Sequence, residues 1–419
     1  MIAVPRAWRR RRGRFAGLLT LLVLLVLLAG CGVQARAAPG AGPQPASVAA
    51  STPRSATRHY EYVFVDYAMY VYDIDHGQRL VGQRSLPGIA EIRGVAADLR
   101  THMLYISHGG DGGGNGHGSL AKYDLLTNRV IWDVRYDHGV DSVAVSRDGS
   151  RLFLPDGELS TDGIWAVVDA RTGAVIGRIR GGDGPHNTIV GLSGRRVYLG
   201  PRNSPYLTVA STATDRVIKR IGPLFSGVRP FTINGSETLA YTTATGLLGF
   251  QVSSIVTGRV LRSVKFGRRF HYDPATFPLT APSHGISLSP DGRELWVLDT
   301  PNAYVHVFDV SGVPQHAPSR LADIRLSHSF AGDQSECSVD CERDGWLQHS
   351  LSGCFVYVGD TGGVVSTVSF RRVAFLPALR NSREMLEIDW CAGVPVATST
   401  RTGLDYVTPR SRRRATRCR

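Results

Sequence analysis

Residues 140–149 read Val140-Asp141-Ser142-Val143-Ala144-Val145-Ser146-Arg147-Asp148-Gly149, and they are followed by Arg151-Leu152-Phe153-Leu154, Ile164-Trp165-Ala166-Val167-Val168-Asp169, Thr172-Gly173 and Ala174-Val175-Ile176-Gly177-Arg178-Ile179. Apolar residues recur at strand spacing, and Asp-Gly and Thr-Gly break the runs where tight turns are needed. The stretch is therefore four short antiparallel strands. A second copy opens at His284-Gly285-Ile286-Ser287-Leu288-Ser289-Pro290-Asp291-Gly292, with Glu294-Leu295-Trp296-Val297-Leu298 behind it. First-turn glycines recur at Gly149, Gly194, Gly235, Gly292 and Gly353. The shorter intervals are the size of a four-stranded propeller blade. Insertions at 267–283 and 327–344 account for the longer ones.

Six complete units start near Arg93, Asp141, His186, Arg229, His284 and Gly345. A seventh is split: 60–86 supplies its outer strands and 385–399 the inner one. The expected fold is all-β, a seven-bladed β-propeller over 60–400, closed by N- and C-terminal strands that share one blade. Closure removes sheet edges that would otherwise be exposed. With 42% apolar residues, the chain can fill such a core.

The two ends of the chain differ in character from the repeats. Nine arginines in 1–59 and six in 410–419, with no acids in either segment, account for the net charge of +13 and leave 60–409 near −2. A near-neutral body argues against a nucleic-acid partner. Arg6, Arg9, Arg10, Arg11, Arg12 and Arg14 precede an apolar run over 17–29 that ends in Leu28-Ala29-Gly30-Cys31. Charge, short apolar run and small residues make 1–30 a secretory signal peptide, too short to be a comfortable membrane span. The alternative is an uncleaved anchor helix. The Arg pairs match a twin-arginine signal only loosely. Residues 31–59 hold small residues and Pro, with almost no large apolar side chain, and read as a disordered tether. Residues 401–419 read as a basic disordered tail.

Leu28-Ala29-Gly30-Cys31 resembles the lipobox of bacterial lipoproteins. That resemblance implies that Cys31 is acylated, with palmitate-type chains, and holds the protein to a bacterial membrane on its extracytoplasmic side. More than one acyl chain makes such anchoring stable. The repeats, with Ser289–Gly292 ending an inner strand and Asp169-x-x-Thr172-Gly173 as the later turn, resemble the YVTN-type repeats of secreted bacterial propellers and, more distantly, lactonase-type propellers. The resemblance spans roughly 60–400 and implies a fold. It does not fix a function, because propellers host many unrelated activities.

In a four-stranded blade the first-to-second and third-to-fourth turns share one face. Here those are tight, as at Asp148-Gly149, Asn128, Gly173 and Gly258. The long segments, 107–118, 155–163, 201–205, 267–283 and 327–344, all fall on the other face, where a rigid scaffold would hold functional loops. Aligning the inner strands puts Arg93, Asp141, His186, Arg229, His284, Gly345 and Met385 at the channel mouth on that face. Arg93, Asp141, His186, Arg229 and His284 could hold an anionic or hydroxylated ligand, and either His could act as a general base. Alternatively, these residues pair with one another across a watery channel.

Other clusters carry weaker signals. His108, Asp111 and His117 lie in a glycine-rich loop that could bind a metal or simply be solvated; the loop lacks a Walker-type Lys. Asp333, Glu336, Asp340, Glu342 and Asp344 offer oxygens but not the order of a Ca²⁺ loop, so a solvated acidic loop is expected. His349 aligns with Leu288, which predicts a packed core histidine. Cys337 and Cys341 are expected to form a disulfide, as secreted proteins favour. Cys354 and Cys391 either pair or remain thiols, and Cys418 lies in the tail. Nothing in the sequence calls for a cofactor, and haem attachment is not indicated.

Three functions are compatible with these features. A binding module for a small molecule or an envelope protein leads. A lactonase-like hydrolase with Arg and His at the channel mouth comes second; no nucleophile elbow or paired-carboxylate spacing supports it. A quinone-linked or amine-oxidising partner chain comes third.

Overall fold

The apolar runs of each repeat are buried on both faces where neighbouring sheets cover them, and only the last strand of each unit alternates with solvent. Arg151–Pro155 and Ile164–Asp169 are nearly all buried, whereas every second residue of Val175–Ile179 is exposed. The computed structural model describes residues 57–110, 117–277, 280–334 and 342–399. The signal segment 1–30, lipidation at Cys31, the Cys337–Cys341 pair, Asp111, Glu336, Asp340, Cys418 and the tail lie outside the described residues.

Seven antiparallel sheets form the blades. In chain order, blade 1 runs Gly94–Asp98, Met103–His108, Ser119–Asp124 and Arg129–Arg135. Blades 2 to 6 begin with the inner strands Ala144–Val145, Pro185–Val190, Val228–Ile233, Ile286–Leu288 and Trp346–His349. Each continues outward through three further strands in sequence order. Blade 7 is the composite: Arg58–Val65 pairs with Glu384–Cys391 on one side and with Ala68–Asp73 on the other, and Arg79–Ser85 is outermost.

Two boundaries shift from expectation. Arg58 and His59, read as tether, already belong to the closing strand, because they pair with Trp390 and Asp389. Segment 385–399 is not one inner strand but two, Glu384–Cys391 and Val394–Thr398, joined by a turn in which Ala392 and Gly393 take positive φ. Blade 7 therefore has five strands. Ser399, just past the fifth, reaches a cavity of about 70 Å³ bounded by the inner strands of blades 1, 2 and 3. The chain itself thus occupies the tight-turn end of the channel.

Seven apolar clusters sit one at each blade-to-blade boundary, from Tyr62, Leu104 and Leu386 between blades 7 and 1 to Val63, Tyr357 and Met385 between blades 6 and 7. Phe153, Trp165 and Leu199 fill the boundary between blades 2 and 3. Each large side chain so buried stabilises the fold by roughly 1.5–3 kcal/mol. Because the core is distributed around the ring, no blade is independent of its neighbours.

The repeat's turn has a shared physical basis. Ser146 Oγ donates to Asp148 at 2.6 Å and accepts the Arg151 N–H at 2.9 Å. Ser289 does the same with Asp291 at 2.7 Å and Glu294 N–H at 2.9 Å. Gly149 has φ +68°, and a Cβ there would meet Asp98 Oδ2 at 2.1 Å, so the position excludes a side chain twice over. Blade 4 departs from this pattern. Its left-handed residue is Glu237 (φ 53°), not Gly235, and the Glu237 carboxylate accepts from Ser193 N at 2.8 Å and Tyr198 OH at 2.9 Å across the boundary.

Candidate functional site at the channel mouth

Arg93, Asp141, His186, Arg229 and His284, drawn from blades 1 to 5, line one polar cavity of about 150 Å³. All five are at least 94% buried. They converge because each stands at the start of an inner strand, and the inner strands run side by side around the axis. The loop face completes the cavity, as its length suggested: Glu158, Arg202, Thr280, Glu342 and Asp344 come from four of the five long segments. Arg383 and Glu384 close it from blade 7.

Opposite charges alternate around the wall. His186 Nδ1 lies 2.6 Å from Asp141 Oδ2, and its Nε2 is buried without a hydrogen-bond partner. Glu158 Oε2 is 2.7 Å from Arg202, 3.7 Å from Arg229 and 3.6 Å from His186. Arg229 also donates to Thr245 Oγ1 at 2.9 Å and to Thr280 Oγ1. His284 Nδ1 reaches the Gly345 carbonyl at 3.0 Å and Asp344 Oδ2 at 3.1 Å. Arg383 forms an ion pair with Asp344. Burial opposes the charge on Asp344, but Arg383 and His284 outweigh it and hold the carboxyl well below its usual range. Asp360 lies behind this group and accepts the Gly345 N–H; burial raises its carboxyl. The imidazole rings of His186 and His284 are 6.1 Å apart between centroids.

The ligand reading and the pairing reading thus describe different parts of one constellation. Asp141 and His186 pair with each other, while Arg229 pairs with Glu158 rather than Asp141. Asp141, Glu158 and His186 bring ligand atoms within 4.8 Å of one another and could in principle hold a cation. Two arginines already compensate Glu158, which makes a metal a poor occupant there.

Two of the aligned positions do not contribute side chains. Gly345 offers its carbonyl, and its φ of +83° leaves no room for a Cβ against Leu298 and Phe330. Met385 points into the core between blades 6 and 7, and Glu384 takes its place at the mouth. A one-residue slip on a strand reverses the face. Asp344, expected in a solvated acidic loop, is instead held by His284 and Arg383. Glu158 and Arg202 carried no signal beyond lying in long loops of the correct face, and Arg383-Glu384 was missed by the same slip.

His349 is a packed core histidine, its Nδ1 2.8 Å from Ser287 Oγ and its ring edge-on to Trp296. His108 bonds Asp133 at 2.9 Å and His117 bonds the Tyr136 carbonyl at 3.2 Å, so each has its own partner. Cys354 and Cys391 are not joined to each other. Among the described residues no helix is long and apolar enough to cross a membrane.

No family model matches the chain, and no curated protein matches it. Among solved structures, a chain titled Kuenenia stuttgartiensis Hydrazine Synthase is similar at 16% identity with a TM-score of 0.48, over 67% of this chain and 77% of that one. Similarity at this level bears on neither the site nor its chemistry.

Proposed function

We propose that the chain is an extracytoplasmic lipoprotein, held to a bacterial membrane through Cys31, whose propeller binds a small anionic or hydroxylated ligand at the channel mouth of the loop face. The lipobox-like Leu28-Ala29-Gly30-Cys31 and the small-residue tether support the address. The observation that carries the binding reading is the convergence of four arginines, two histidines and five carboxylates on a single small cavity. Four guanidiniums carry about twenty N–H donors in planar forks, suited to carboxylate, phosphate or vicinal hydroxyls. Burying so many charges is costly unless they serve recognition or a fully paired network. A thermal-shift screen of the full-length protein against small carboxylates, phosphates and polyols tests this reading, with Arg229→Ala as the variant that should lose the response.

One observation favours a second reading. A histidine whose Nδ1 is held by a carboxylate and whose Nε2 lacks a partner beside a cavity is arranged as a general base for water. On that reading His186 would activate water against a lactone or ester bound by the arginines. Hydrolysis of a lactone and ester panel, abolished by His186→Gln, would select it over simple binding.

A further inference from the structure

The strands that close the ring carry a second cluster, which begins at Glu387, three residues past Glu384 on the same strand. His59 stands opposite Asp389, and Glu61 stands opposite Glu387. Side chains alternate along a strand, so these four share one face of blade 7. Glu61, Glu387 and Asp389 are 0%, 1% and 6% exposed, while the His59 side chain keeps 38% exposure at the edge. His59 Nδ1 lies 2.8 Å from Asp389 Oδ1 and 3.9 Å from Glu387 Oε1.

Neighbouring groups supply part of the hydrogen bonding of this cluster. Glu387 Oε2 accepts the Leu351 N–H at 2.6 Å, Glu61 Oε1 accepts from Gln348 at 3.4 Å, and the His59 N–H bonds Asp75 at 3.1 Å. Asp389 Oδ1 is buried and faces His59 Nδ1 at 2.8 Å. Glu61 Oε2 is buried without a hydrogen-bond partner. Among the described residues no Arg or Lys forms an ion pair with any of the four, in contrast to Glu158 at the channel mouth. His59 is the basic side chain paired with this group, and burial together with mutual repulsion raises the carboxyls of Glu61, Glu387 and Asp389; a bound cation would relieve that repulsion.

We infer that His59, Glu387 and Asp389, with Glu61 beside them, form a site for a divalent first-row transition-metal ion that ties the two ends of the propeller together. One Nδ1 and two carboxylate oxygens fall within 4.8 Å of one another. Ligand atoms around an ion at about 2.1 Å stand roughly 3.4 Å apart, a separation the observed 2.8 and 3.9 Å bracket. The imidazole selects against Mg²⁺ and Ca²⁺ and suits Zn²⁺ or Mn²⁺. Two carboxylates neutralise the ion, and the half-exposed His59 gives it a way in. Since the ligands come from both closing strands, the ion binds the closed ring and not the unfolded chain, and so strengthens closure.

The test uses full-length protein stripped with a chelator and titrated with Zn²⁺, Mn²⁺ and Ca²⁺ by calorimetry, alongside melting curves and Co²⁺ absorption spectra. The expected result is one equivalent of Zn²⁺ or Mn²⁺ bound, a melting temperature that climbs with free ion, and a Co²⁺ visible band from imidazole and carboxylate ligation. His59→Ala, at the exposed edge, and Asp389→Asn should each weaken binding at least tenfold and abolish the band. Asp141→Asn should leave both intact. No stoichiometric binding, binding that survives both variants, loss only in Asp141→Asn, or equal affinity for Ca²⁺ would each overturn the assignment.

Discussion

His186 Nδ1 lies 2.6 Å from Asp141 Oδ2, a buried hydrogen bond that joins the inner edges of blades 2 and 3 at the mouth of the channel. Asp141 also accepts the Ser142 N–H at 2.6 Å, and Ser142 Oγ in turn donates to the His186 carbonyl at 3.1 Å. The same residues that shape the cavity therefore hold two blades in register, and substitutions there will move stability and binding together unless chosen with care.

Asp141→Ala should destabilise the protein by roughly 1–3 kcal/mol, because it strands a buried imidazole without its partner. Asp141→Asn keeps a hydrogen-bonding oxygen and should cost less. Urea unfolding of the two variants checks the order; equal midpoints for wild type and Asp141→Ala would show that the bond contributes nothing.

His349 gives the fold a specific acid sensitivity. Burial pushes its imidazole from the ordinary value near 6.5 down to about 3, so it stays neutral inside while the unfolded chain takes up a proton. Its contribution is intact above about pH 6.5 and lost as pH falls toward 3, by up to about 1.4 kcal/mol per pH unit. Buried carboxyls with raised values, such as Asp156 at about 8, act in the opposite sense. The decisive quantity is thus the difference between wild type and His349→Asn, whose stability should decline less between pH 6 and pH 4. Parallel pH profiles would remove His349 as the cause.

Ring closure depends on Glu384–Cys391, which pairs with Arg58–Val65 through seven opposed residues and carries Leu386 and Ile388 into the blade 7–1 cluster. Truncation before Glu384 should abolish cooperative melting of the whole body. A truncated protein that melts cooperatively near the full-length temperature would show that six blades suffice.

How far the sequence could be read follows from which forces are local. Turn chemistry is local, so Asp148-Gly149, Asp291-Gly292 and the Asp169–Gly173 turn marked the blades and placed five inner-strand residues at the mouth. The shared cavity of Arg93, Asp141, His186, Arg229 and His284 is a consequence of that register. Glu158 and Arg202 could not be read, since a loop's path depends on what it packs against. The Met385-for-Glu384 slip arose because blade 7 lacks the Ser-x-Asp-Gly turn that fixes the register of blades 2 and 5. The fifth strand, Val394–Thr398, was hidden for a related reason: Ala392-Gly393 forms a tight hairpin inside what reads as one apolar run. The block of His59, Glu61, Glu387 and Asp389 becomes visible only once two strands over 320 residues apart are paired.

Anchoring is tested by fractionation. Cys31→Ser should shift the protein from the membrane fraction to the soluble extracytoplasmic fraction; retention in the membrane would mean that residues 17–29 remain as the anchor.

The measurement that bears most directly on the channel mouth is the affinity of a thermal-shift hit, from the carboxylate, phosphate and polyol screen, for full-length wild type and for Arg229→Ala. Arg229 donates to Thr245 and Thr280, and Glu158 keeps Arg202 at 2.7 Å when Arg229 is removed. The variant should therefore remain folded, losing no more than about 3 kcal/mol, while its affinity falls at least tenfold. A large loss of stability with affinity unchanged, or a screen in which no class of compound shifts the wild-type melting temperature, would contradict a binding site at the channel mouth.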